Sequence, residues 1–110
     1  MPDWAMPPGL PSTWSSADCE QHIRALAYQG VAIEWTDHWE FRERDITTKE
    51  ALRVLRNGTI AGVAPAQPGF SGVQCRIQFV LPDEGLTTVV VGLSDNNHSP
   101  SPYLSIITAF

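Results

Sequence analysis

Hydrophobic positions along this chain change their period once, near residue 59. From Ser15 to about Gln29 the apolar residues Cys19, Ile23, Leu26 and Ala27 stand at i, i+4, i+7 and i+8. That spacing puts them on one face of an α-helix, with Asp18, Gln21 and Arg24 turned away. Ser15 or Ser16 supplies the capping oxygen and Gly30 the stop. His22 lies beside the stripe and reads as a surface or half-buried side chain rather than a ligand. Val31-Ala32-Ile33-Glu34-Trp35 reads as a short extended connector. Thr36 or Asp37 then opens a short helical segment to about Arg44, with Phe41 directed into the core.

Thr47-Thr48-Lys49-Glu50 has the spacing of a capping box, in which a threonine hydroxyl and a glutamate carboxylate satisfy each other's amides. The helix it starts buries Ala51, Leu52, Val54 and Leu55 and ends at Arg56 or Asn57. Gly58 is expected to stop it in a left-handed conformation. After that the period is two. Thr59 to Val63 is a strand, and Pro65 to Gly72 is a loop rich in turn formers. In Val73 to Leu81, the residues Val73, Cys75, Ile77, Phe79 and Leu81 alternate with Gln74, Arg76 and Gln78, which describes a strand with one buried face. Pro82 to Gly85 turns the chain, and Leu86 to Leu93 returns as a Val-rich strand central in the sheet. A polar loop from Ser94 to Pro102 leads to a final strand, Tyr103 to Phe110.

This order predicts an α+β domain, with two to three N-terminal helices packed on a four-stranded antiparallel sheet. With 110 residues there is material for one core, and the single domain is placed at residues 15–110. Residues 1–14 hold four of the nine prolines along with Trp4 and Trp14. They read as an extended arm whose Trp4, Leu10 and Trp14 can pack on the domain or on a partner. No apolar run approaches the roughly 20 residues of a membrane span, and the first residues lack the pattern of a secretion signal, so a cytoplasmic protein is expected. Cys19 and Cys75 form no metal-binding spacing and read as reduced core thiols, with a disulfide as the alternative. The final strand, as an exposed edge, would allow a homodimer as well as a monomer.

Charge narrows the functional classes. The net charge is −5 and the pI near 4.9, which disfavours broad nucleic-acid binding through phosphate neutralisation. Yet five of the seven basic residues fall in Thr36 to Ile60: Arg42, Arg44, Lys49, Arg53 and Arg56. Arg24 precedes them, and Arg76 is the one basic residue after Arg56.

Within this stretch, Thr36-x-His38, the arginines ending in Arg44-Asp45-Ile46, and the helix closing in Leu55-Arg56-Asn57-Gly58-Thr59-Ile60 resemble the domain of unknown function 4258 family. Ser105-Ile106-Ile107-Thr108 is similar to that family's last strand, and the resemblance covers about residues 16–110. Trp39 stands where the family has a small residue, and Asp45 where glycine is commoner. The family is grouped by fold with the RelE, ParE and BrnT toxins. The resemblance therefore implies helices on one face of a four-stranded antiparallel sheet, and an antitoxin-like protein partner. It also implies metal-independent cleavage of messenger RNA, in which a ribose 2′-oxygen attacks the neighbouring phosphate with help from an acid, a base and cationic groups.

His38 is the candidate acid or base because histidine titrates near neutral pH, and Arg42 and Arg44 are the candidate phosphate clamps. The same residues also read as a self-neutralised surface, since Asp37, Glu40, Glu43 and Asp45 interleave with them. Lys49, Arg53 and Arg56 lie at i, i+4 and i+7 as a basic stripe; with Arg76 they are the candidate binding residues for RNA or for an acidic protein segment. His98 with Asp95 and Asn96 has no second histidine at ligand spacing, so neither a metal nor a cofactor is expected. Two functions remain: a non-catalytic protein-binding module, and a toxin-like ribonuclease. The acidic total charge favours the first.

Overall fold

A computed structural model of the chain describes residues 9–29, 33–35, 46–65, 72–82, 84–93 and 104–109. Two α-helices lie among them, α1 (Ser16–Gln29) and α2 (Thr48–Asn57). Five strands accompany these: β1 (Ile33–Trp35), β2 (Thr59–Pro65), β3 (Val73–Leu81), β4 (Gly85–Leu93) and β5 (Leu104–Ala109). The expected third helical segment, Thr36 to Arg44, lies outside the described residues.

Each described helix begins where a side chain can take up free amides. Ser15 Oγ accepts from the Asp18 amide at 3.1 Å, which makes Ser15 the cap of α1. At α2 the capping box is complete: Thr47 Oγ1 accepts from the Glu50 amide at 3.1 Å, and Glu50 Oε1 accepts from the Thr47 amide at 3.1 Å. The end of α2 departs from expectation. Gly58 has φ −79° and ψ 175°, an extended conformation rather than a left-handed one, while its amide donates to the Val54 carbonyl. The glycine is required by space. A Cβ there would lie 2.5 Å from the Gln78 carbonyl oxygen, 2.6 Å from that of Val54 and 2.8 Å from Ile77 Cγ2.

Strands β2, β3, β4 and β5 form an antiparallel sheet, each paired with the next. Leu81 pairs with Gly85 across the β3–β4 turn, and Gly85 takes the left-handed φ of 76° that this tight reversal needs. One extra residue bulges from β2 at Ala61 and another from β5 at Ile107. The segment read as a connector becomes a fifth strand: β1 runs parallel to β5, giving the order β1-β5-β4-β3-β2. Consequently β5 is an inner strand, and an argument for dimerisation through a free final edge loses its premise. The outer strands of the sheet are β1 and β2.

The helices cover one face of the sheet. Cys19, Ile23, Leu26 and Ala27 of α1 and Ala51, Val54 and Leu55 of α2 meet Val73, Cys75, Ile77 and Leu81 of β3 in one cluster. Val89, Val91 and Leu93 of β4 and Ile106 of β5 complete it. Strand β4 stands in the middle and is buried on both sides, since Thr88 and Val90 on the other face are buried along with Val89 and Val91. That explains its run of valines without alternation.

The end of the N-terminal arm is partly built into this fold. Pro11 to Thr13 make one turn of 3-10 helix, Pro11 is buried, and Trp14 packs on the core. Leu10 is exposed, and Trp4 lies outside the described residues.

Candidate functional site

Four cationic side chains were singled out by sequence within the described region, and the fold sends them to different places. Lys49 and Arg53 are both exposed and stand four residues apart on the outer side of α2. Arg56 has another task. Its Nε donates to the Ala27 carbonyl at the end of α1 at 2.9 Å, and its guanidinium lies 5.8 Å from the centre of the Tyr28 ring. The stripe that spacing predicted thus shortens to two residues, because the third is tied to the neighbouring helix. Arg76 alternates with Cys75 and Ile77 and therefore projects from the opposite face of the sheet, where Gly62 and Val90 flank it. The structure brings Lys49 and Arg53 together and leaves Arg76 apart. His38, Arg42, Arg44 and His98 lie outside the described residues.

A second polar cluster, not anticipated from sequence, forms where α1 crosses the α2–β2 junction. Arg24, expected to face solvent, donates through Nη2 to the Gly58 carbonyl at 3.0 Å. The same nitrogen approaches Glu20 Oε1 at 3.4 Å, and that oxygen accepts the Ile60 amide at 3.3 Å. Glu20 and Arg24 are four apart on α1, so one helical face delivers both to the junction. Their work is structural: they satisfy backbone groups that the helix end and the strand start would leave open. An i, i+4 pair of opposite charges was the sequence signal. Its target could not be read, because Gly58 and Ile60 are more than thirty residues away.

His22 is only 2% exposed, deeper than a surface or half-buried reading allows. The Trp14 ring meets it edge-on, with centroids 5.1 Å apart and planes at 75°. Trp14 Nε1 is buried and has no hydrogen-bond partner among the described residues. The third feature is the pair of thiols. Cys19 and Cys75 are both free and fully buried within the core cluster. The Cys19 side chain and then burial push the Cys75 thiol far above the ordinary thiol range. The Cys75 side chain draws Cys19 downward, against burial and the charge of Asp18. Among the described residues no three histidine, cysteine, aspartate or glutamate side chains are placed to hold a metal ion. No helix of the described residues is long and apolar enough to cross a membrane.

The arrangement can therefore offer a small cationic face on α2, but within the described residues it does not converge positive groups on one point as a phosphate-cleaving centre requires. Comparison with known proteins gives no match: no family model matches the chain, and no curated protein or solved structure matches it at a significant level.

Proposed function

We propose that this chain is a non-catalytic protein-binding module on a RelE-like fold, and that the outer side of α2 holds an acidic segment of a partner, an antitoxin-like protein. The observation that carries the reading is the exposed Lys49–Arg53 pair on a helix anchored by its capping box and by Ala51, Val54 and Leu55. A rigid helix presents two charges at fixed separation with little ordering cost on binding. Arg24 and Arg56 are committed to backbone carbonyls, so these two cations serve the fold.

The test is fluorescence anisotropy of a dye-labelled glutamate-rich peptide, beside an RNA oligonucleotide of equal charge. Peptide binding that weakens at higher salt and falls about tenfold or more in the Lys49→Glu/Arg53→Glu double variant is the expected result. Equal binding by wild type and double variant would defeat the assignment to α2.

The ribonuclease reading is the second, favoured by one observation: helices on one face of an antiparallel sheet is the architecture that the family resemblance implies. In it His38 exchanges protons, Arg42 and Arg44 hold the phosphate, and Arg76 assists. Induced expression separates the two. Growth arrest with RNA cleavage that disappears in His38→Ala would establish the nuclease, and soluble wild-type protein without arrest would remove it.

A further inference from the structure

We infer that the sheet face turned away from the helices binds a second copy of this chain, at the β3–β4 hairpin and around a two-fold axis. The helices cover the side on which Cys75, Ile77, Leu81, Val89 and Val91 lie. Alternation sends Arg76, Gln78 and Val80 of β3, with Leu86, Thr88 and Val90 of β4, to the other side. At the hairpin end that side is open. Val80 and Leu86 pair across the two strands and are 64% and 63% exposed, the highest values among the large apolar side chains of the described residues. Two such residues held against each other form a contiguous patch, whereas apolar side chains exposed singly are ordinary.

Charge decides what covers the patch. Arg76 is the one charged residue that β3 and β4 place on this side; it is exposed, and no acid among the described residues pairs with it. Glu84 is exposed in the turn that joins the strands. Leu81 pairs with Gly85 beside that turn, so five residues of strand, about 17 Å, lead from Arg76 to it. The patch thus has a cation at one end and an acid at the other, with Val80 and Leu86 between. A partner must carry the reverse order. The same patch turned by a two-fold axis does so, and Arg76 of each copy then meets Glu84 of the other. The axis passes between the Gln78–Thr88 and Val80–Leu86 rows, so each apolar pair rests on the other copy's Gln78–Thr88 row. That row is suited to being covered. Gln78 Nε2 already donates to Thr88 Oγ1 at 3.1 Å, which lowers the cost of taking both groups out of water. A purely acidic partner would pair with Arg76 but be repelled at Glu84. One end of a two-stranded hairpin buries less than the roughly 1,200 Å² of a stable interface, so the dimer is reversible.

This dimer is independent of the reading of α2, which lies on the opposite side of the sheet. The experiment is sedimentation equilibrium of the full chain from about 10 µM to about 1 mM at low salt. The expected result is a monomer–dimer equilibrium that weakens as salt is raised. Arg76→Glu and Glu84→Arg should each weaken it about tenfold or more. An equimolar mixture of the two variants restores both opposite-charge contacts and should recover the dimer to within about threefold of wild type, as should the combined variant R76E/E84R. Arg76→Gln and Glu84→Gln, which keep the side-chain shape, should weaken the dimer too and carry the test if a reversed charge disturbs the fold. A chain that stays monomeric at about 1 mM, a dimer indifferent to these substitutions, or folded variants that neither mixing nor combination recovers would each overturn the inference. A monomer whose binding to a glutamate-rich peptide is lost in Arg76→Glu would also overturn it, and would give the face to an acidic partner.

Discussion

At Gly58 there is room for a hydrogen atom and nothing larger, with two carbonyl oxygens and a methyl group inside the contact distance of any Cβ. Gly58→Ala is therefore expected to lose about 1–3 kcal/mol, the usual range for overpacking. A lower urea midpoint at unchanged slope is the measurement. Thr47→Ala removes one half of the capping box and should cost about 1 kcal/mol, while Thr47→Ser should retain most of it. Of these two residues, Thr47 was fully legible, because a capping box is a local spacing. Gly58 was legible as a helix stop, but the need for glycine comes from Gln78 and Ile77, which the sequence keeps far away.

For elements, the contrast lies between α2 and β1. Helix α2 could be read end to end, since its cap, its buried side and its stop are all encoded within about a dozen residues. What its third cation does was not legible, because Arg56 answers to the end of α1. The Arg56→Ala change should weaken the contact between the two helices by about 1 kcal/mol. In a double-mutant cycle with Tyr28→Ala, a coupling of about 0.5–1 kcal/mol is expected from the ring contact; additive effects would show that the ring adds nothing. Strand β1 is the opposite case. Three residues carry too little pattern to distinguish a strand from a connector, and Ile33 to Trp35 become sheet only because β5 offers its free side in register.

Over the whole molecule, the helices and the sheet share one core, and Leu55 is among its most buried large side chains. Leu55→Ala should cost about 2–5 kcal/mol, read from the denaturant midpoint. The sequence by itself determined the α+β class, helices α1 and α2, and strands β2 to β5. Those rest on periodicity of 3.6 and 2, on caps and on turn residues, all of them short-range. It also marked Lys49 and Arg53 as a pair, because i and i+4 share a helix face wherever the helix goes. Only the tertiary structure decided that β5 is an inner strand, that Arg24 and Arg56 serve backbone carbonyls, and that Arg76 is on the far face from α2. It alone gathered Cys19 and Cys75 into one core cluster. Each of these depends on packing between segments separated by tens of residues, and no local spacing records which distant backbone or side chain a residue will meet.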